Sequence, residues 1–303
     1  MNATPRFAWL NGELLPFESA RLPLSDRGLL LGDSLFETLA VAHGRPFALQ
    51  AHVERLARGM TFCRFQEAPD PALLADAAQA VVMAEVAAGA PPHGALRITV
   101  TRGPGRRGYS PGAAGPSNAF VVFHAGPEPC TPHPGWTLRT SSFRLPHGDP
   151  MAPFKHGSRM LHVLARAEAE AHGSDEALLL NTRGEPAECA SGNLLWFEGD
   201  VLVHAASDSG ALAGVTQDIV VGLAQRHGLQ TMPARPHVGI RDALTLCGGI
   251  VVLSTLGIVP VLALDGSTCR QRMEARLLAD DLRARVLKEC AASGSWSPVG
   301  SRG

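Results

Sequence analysis

An α+β chain of two domains is what the sequence predicts, and three observations predict it. The 303 residues exceed one domain at the usual size of roughly 100 to 200 residues. Apolar residues recur with a period of two in some segments and near 3.6 in others, so strands and helices are interleaved. A stretch rich in Pro and Gly, GPEPCTPHPG at 126–135, breaks this patterning and reads as a linker. It separates a smaller N-terminal α+β domain at 1–125 from a larger domain at 136–292, and the final SGSWSPVGSRG reads as a disordered tail, 293–303.

Each element follows from a local signal. FAWLNGELL carries the Asn-Gly hairpin dipeptide between apolar flanks, and LFETLAVAHGRPFAL forms a second hairpin with HGRP as its turn, so the chain starts as a meander. Helical spacing predicts helices over 50–62 and 71–88, and ALRITVTRG and NAFVVFHAG return to strands. Beyond the linker, WTLRTSSFRL is a strand and SRMLHVLARAEAEAHG a helix ending on Gly173. EALLLN, NLLWFEGD and VLVHA are short strands, TQDIVVGLAQRHG a helix, IVVLSTLGIVPV a pair of strands, and 270–292 a last helix. No repeat is present, and the glycine-rich RGPGRRGYSPG precedes no helix, which excludes a Rossmann or Walker loop.

Composition narrows the function. Hydrophobic residues are 45% and charged residues 18%, as in ordinary globular proteins, and the net charge of −1 offers no bulk attraction to nucleic acid or anionic lipid. No apolar run is long enough to span a membrane, and the N-terminus lacks the basic start and apolar core of a signal peptide, so the expected location is the cytoplasm. The six cysteines stand far apart and read as free buried thiols, and the twelve histidines show no ligand-type spacing, so no metal site is expected.

Lysine is the informative count. Of the 27 basic residues only Lys155 and Lys288 are lysines. A compositional bias toward Arg explains the scarcity, but Arg cannot serve where a neutral amine must attack a carbonyl. Lys288, in RARVLKEC, lies on a polar helix face. Lys155, in DPMAPFKHGSRMLHV, lies between apolar residues just before a helix, a setting suited to a partly desolvated Schiff-base lysine.

Seven segments between about Trp9 and Val261 stand in one order: SDRGLLLGDSLFETL, HVERL, RGPGRRGYSPG, KHGSRM, SDEALLLNTRGEPAECASGNLLWF, SGALAGVTQD and STLGIVPV. Together they resemble the fold type IV pyridoxal-phosphate enzymes. This is the class IV aminotransferase superfamily, which includes branched-chain and D-amino-acid aminotransferases and aminodeoxychorismate lyase. The resemblance implies pyridoxal 5'-phosphate bound between the two domains, with the larger as cofactor-binding domain, a small-molecule amine substrate and a homodimer. It makes Lys155 the Schiff-base lysine and proton carrier, and makes Glu188 the carboxylate facing the pyridine nitrogen, where it keeps that atom protonated. Arg55, Gly214, Val215, Thr216 and Ser254 match the phosphate-binding positions, the glycine turn opening a helix that favours an anion. Asn193 is implied as support beside Glu188, Thr38 and Thr255 as substrate-side residues, and Arg27 as one reaching the neighbouring subunit's site.

Read one by one, these residues keep plainer meanings. Glu188 is a strand-edge surface carboxylate, Arg55 a surface arginine, Thr216 an N-cap, Ser254 a strand end, Asn193 a turn residue and Thr38 a β-branched strand residue. Three features lean toward the lyase: the RGxGxRGYS-like loop, whose Arg107 and Tyr109 suit a dicarboxylate; Lys155-His156 with Arg159; and a single tyrosine in the chain. KHGSRM departs from the lyase pattern at Gly157 and Ser158, and FETL is shared with many aminotransferases. The readings therefore stand as lyase, as aminotransferase of unknown amine, or as a binding protein that keeps the fold without turnover.

Overall fold

Asn11 and Gly12 both take positive φ, 49° and 104°, the backbone that a two-residue hairpin turn requires, and β1 (Phe7–Leu10) pairs with β2 (Glu13–Pro16) across them. The structure is a computed structural model describing residues 5–235 and 239–291. It divides into two compact units, one holding the chain through Pro129 together with the stretch from Arg285, the other running Cys130–Ala284. The division falls within 126–135.

In the first unit, Asp26 caps α1 (Arg27–Leu31) by accepting the Gly28 N–H at 2.7 Å, and its other oxygen accepts from Thr101 and Asn118. β3 (Ser34–Ala42) turns into β4 (Arg45–Pro46) through His43 and Gly44, so this turn has two residues instead of the four of HGRP. α2 (Leu49–Phe62) follows, then α3 (Pro71–Ala87), opened by an Asp70 cap and a proline in its first turn. β5 (Gly94–Thr101) and β6 (Asn118–Ala125) complete an antiparallel sheet of order β2-β1-β6-β5-β3-β4. The expected meander is thus absent. The hairpins form locally, but β5 returns along β3 and β6 along β1, which places two later strands between them.

The second unit contains β7 (Trp136–Leu145), α4 (Met160–Ala171), β8 (Glu176–Asn181), β9 (Pro186–Cys189) and β10 (Asn193–Glu198). β11 (Val201–His204), α5 (Val215–Arg226), β12 (Gln230–Pro233) and α6 (Ile240–Cys247) follow. β13 (Gly249–Leu253), β14 (Gly257–Leu264), β15 (Ser267–Thr268) and α7 (Met273–Ala291) end the described chain, with α7 crossing at Arg285 into the first unit. The expected tail at 293–303, like residue 292, lies outside the described residues.

Strands run in the order β12-β11-β10-β13-β14-β7-β8-β9, and one further pairing, Asn193 with Glu188, joins β10 to β9 and closes six strands into a ring. One apolar cluster gathers Leu138, Leu178, Leu194, Trp196, Val251 and Val261, and a second gathers Leu145, Leu179 and Ala187 with Ala165 and Ala169 of α4. The register between β8 and β9 shifts at Ala187, an extra residue that leaves Ala187 and Glu188 both turned toward α4. Four of the six free cysteines are buried, while Cys63 and Cys247 are half-buried. No helix among the described residues is long and apolar enough to cross a membrane.

Candidate active site

Lys155 is half-buried on the turn before α4. Arg159 holds this turn: its Nε donates to the His156 carbonyl at 3.1 Å and its Nη2 to the Phe154 carbonyl at 3.5 Å, the carbonyls of the residues after and before the lysine. The same guanidinium reaches along the first turn of α4, placing Nη1 3.1 Å from His162 Nε2. His162 Nε2 lies 2.9 Å from Glu188 Oε1, and Glu188 Oε2 accepts the Leu212 N–H at 2.9 Å. One continuous set of contacts therefore runs from the Lys155 turn to Glu188 and on to the loop that leads into α5.

Glu188 is 5% exposed, which removes the surface-carboxylate reading. Burial alone would push its carboxyl up, but the bond and charge of His162, then the Arg159 charge and the Leu212 N–H, hold it below the usual carboxylate range. Each oxygen accepts one bond from the chain and retains lone-pair capacity for another group. His156, next to Lys155, is driven the other way: burial, then the Arg159 charge, lower its imidazole to about 4, so it is neutral at physiological pH.

Asn193 also does more than fill a turn. Its Nδ2 donates to the Leu212 carbonyl at 2.7 Å, and a side chain at Gly214 would collide with its Oδ1, so Asn193 and Gly214 are fitted to each other. Gly214 is the N-cap of α5, and no side chain caps that helix. Val215 and Thr216 occupy its first turn, so Thr216 is not the cap. Such an end presents backbone N–H groups and the positive pole of the helix, a setting for an anion. Ser254 and Thr255, half-buried, lie on the connection between β13 and β14, not within a strand, two and three residues past Val252, which pairs with Asn193.

The first unit positions the remaining expected residues. Arg55 on α2 is 6% exposed, not a surface arginine, and its Nε and Nη2 grip both oxygens of Glu37 at 2.8 and 2.6 Å, with His52 Nδ1 2.7 Å from Glu37 Oε2. Burial would raise the Glu37 carboxyl, but the bonds from His52 and Arg55 and the Arg55 charge hold it low. Thr38, half-buried on β3, pairs with Arg97. Arg107 and Tyr109 are exposed on their loop, Tyr109 by 87%. Arg27, expected to reach a neighbouring subunit, is 4% exposed and turned inward: it pairs with Asp33 and donates to the carbonyls of Gly108, Tyr109 and Ser110.

Two participants were missed by the sequence reading. Glu37 stood inside the quoted FETL, but its partner Arg55 lies 18 residues further on, too far for a local signal. His162 stands three residues after Arg159, a spacing that puts both on one side of a helix.

The amino-transferase class IV family model matches residues 34–264. A putative branched-chain-amino-acid aminotransferase of Methanocaldococcus jannaschii is 28% identical over 260 residues, 85% of this chain and 88% of its own length. The structure of 4-amino-4-deoxychorismate lyase from Pseudomonas aeruginosa matches at 31% identity with a TM-score of 0.79, covering 92% of this chain and 99% of that one. A T.th. branched-chain amino acid aminotransferase solved with pyridoxamine 5'-phosphate matches at 25% identity with a TM-score of 0.84, covering 93% and 95%. The chain belongs to the class IV aminotransferase family. It is a fold type IV enzyme, a lyase or aminotransferase that works with pyridoxal 5'-phosphate. The second unit fits that group: a half-buried lysine, a buried carboxylate kept ionised with acceptor capacity to spare, and an uncapped helix end for a phosphate.

Proposed function

We propose that the chain is an aminodeoxychorismate lyase, which releases pyruvate from 4-amino-4-deoxychorismate and forms 4-aminobenzoate for folate synthesis, acting as a cytoplasmic homodimer. The observation that carries this reading is the loop at 102–112, where Arg107 and Tyr109 stand exposed on a backbone that Arg27 holds through three carbonyls. A cation on a fixed backbone is suited to a substrate carboxylate. The 31% identity with the P. aeruginosa lyase over nearly its whole chain agrees with it. An aminotransferase using the same lysine is the second reading, favoured by the similarity to the M. jannaschii protein.

When bound, pyridoxal phosphate supplies an aldehyde for the amine and a ring that withdraws electrons from the neighbouring carbon. Lys155 is assigned to hold that aldehyde and then, once displaced by the substrate amine, to take the proton from the amine-bearing carbon. Arg159 orients it by holding the carbonyls of the neighbouring residues Phe154 and His156. Neutral His156 adds no second cation beside it, so the amine sheds its proton more readily. Glu188 is assigned to the ring nitrogen, with Asn193 supporting the loop next to it. Gly214, Val215, Thr216, Ser254 and, from the first unit, Arg55 are assigned to the phosphate; Glu37 fixes the Arg55 fork in advance. Thr38, Thr255, Arg107 and Tyr109 are assigned to the substrate. In the lyase, loss of that proton leads to cleavage of the carbon–oxygen bond to the enolpyruvyl arm and the ring becomes aromatic; the departing enolate takes up a proton, for which protonated Lys155 is the source, and becomes pyruvate.

The homodimer is supported by Leu24, Leu29 and Leu30, which are 83%, 64% and 63% exposed on and just before α1. Purified protein incubated with aminodeoxychorismate should release 4-aminobenzoate and pyruvate in equal amounts without a keto acid acceptor. Amino transfer to a keto acid from branched-chain or D-amino acids, with no 4-aminobenzoate, would replace the lyase by the aminotransferase.

A further inference from the structure

His162 is nearly enclosed, its side chain 11% exposed, and its two ring nitrogens have different surroundings. Nε2 faces Glu188 Oε1 at 2.9 Å and has Arg159 Nη1 at 3.1 Å. Nδ1 is buried and has no hydrogen-bond partner among the described residues. These surroundings bear on which ring nitrogen carries a proton. A ring protonated only at Nδ1 would accept from Arg159, but it would bury an N–H without an acceptor among the described residues and turn a lone pair toward a carboxylate oxygen. A ring with a proton on Nε2 donates to Glu188 Oε1, and Arg159 Nη1, itself a donor, then lies beside Nε2 without bonding to it.

We propose that His162 is a positioning residue that, as an Nε2–H donor, fixes Glu188 and keeps its charge available to the cofactor's ring nitrogen. This rests on the assignment of Glu188 to that nitrogen. Carboxylate and ring nitrogen compete for one proton. Burial makes the Glu188 carboxylate a stronger base, and a hydrogen bond to the charged form opposes this. With the His162 donor present, the proton shared between carboxylate and ring nitrogen stays on nitrogen. Without it, the carboxylate retains only Leu212 N–H and the Arg159 charge against its burial, and the shared proton moves toward oxygen. The ring then loses the positive charge that makes it an electron acceptor.

The test loads the enzyme with pyridoxal phosphate carrying 15N in its ring and reads the nitrogen's NMR shift, which differs between protonated and unprotonated pyridine. Wild type, His162→Gln, His162→Phe, His162→Leu and Glu188→Gln are compared at one pH, with thermal unfolding of each unloaded protein as the control for folding. The amide of His162→Gln supplies an N–H donor, so it should keep the protonated shift. His162→Phe and His162→Leu should move the shift toward the unprotonated value and weaken cofactor binding roughly tenfold, the loss of one bond to a charged group. Two apolar replacements are used so that failure of one to fold leaves the other readable. A protonated shift in every folded apolar His162 variant, with an unprotonated one in Glu188→Gln, overturns the role of His162 and leaves Glu188 where it is assigned. A protonated shift in Glu188→Gln itself overturns the Glu188 assignment and the proposal with it.

Discussion

Glu188→Gln changes charge with almost no change of shape, and the structure allows both of its consequences to be sized. The amide oxygen can keep the Leu212 N–H bond, which leaves the amide NH2 facing His162 Nε2 across 2.9 Å. Two donors cannot face each other, so His162 must shift its proton to Nδ1, where it is buried without an acceptor among the described residues. Leaving a buried donor unsatisfied costs about 1–3 kcal/mol. In a domain of this size that lowers the unfolding temperature by roughly 2–10 °C. A folded state stable by about 5–15 kcal/mol remains almost fully populated at 25 °C after such a loss. Stability therefore cannot account for the second consequence, a fall in kcat of about 10²–10³ on losing a preorganised charge at the reacting group. The assay is kcat at 25 °C with saturating cofactor and substrate, beside the melting curve of the same preparation. A melting temperature that falls as stated while kcat drops less than tenfold would refute the reasoning and leave Glu188 a structural carboxylate.

Three further outcomes are expected. Arg107→Ala should raise KM for aminodeoxychorismate about tenfold to a hundredfold, the loss of a charged bond of about 1.5–3 kcal/mol, with the resting cofactor spectrum unchanged; an unaltered KM would mean a solvated loop arginine. For His156, burial and Arg159 depress the imidazole to about 4, so the folded form resists a proton that the unfolded chain accepts near 6.5. Stability is therefore full above 6.5 and declines as pH falls toward 4, by about 2 kcal/mol at pH 5, and His156→Asn should flatten denaturant-measured stability between pH 7 and 5; an equal slope in variant and wild type would contradict this. Leu29→Asp with Leu30→Asp should convert the proposed dimer to monomer in light scattering, and a wild type that is already monomeric at micromolar concentration removes the homodimer.

What was legible in the sequence was local. Asn11-Gly12 announced its hairpin, Asp70-Pro71 its helix start, and the scarcity of lysine drew attention to Lys155, because each signal acts within a few residues. Strand order was not legible: β5 and β6 enter between the two N-terminal hairpins through pairings across long stretches of chain. β9 escaped notice because its four residues, PAEC, carry no alternation, and its bulge decides which way Glu188 points. Of the candidate site, residue types and order were readable, whereas partners were not. Nothing in HVLARAEA says that His162 will meet Glu188, or that the Arg159 guanidinium will touch both the lysine turn and that pair.

Lys155 is the residue on which every other site assignment depends, and chemistry can find the cofactor's lysine directly. Borohydride reduction of the loaded enzyme followed by peptide mapping should place the pyridoxyl label on the peptide containing Lys155, with none on Lys288, and Lys155→Ala should take up no label and lose turnover. Label on Lys288, or full turnover in Lys155→Ala, would contradict the assignment on which the rest of the site is built.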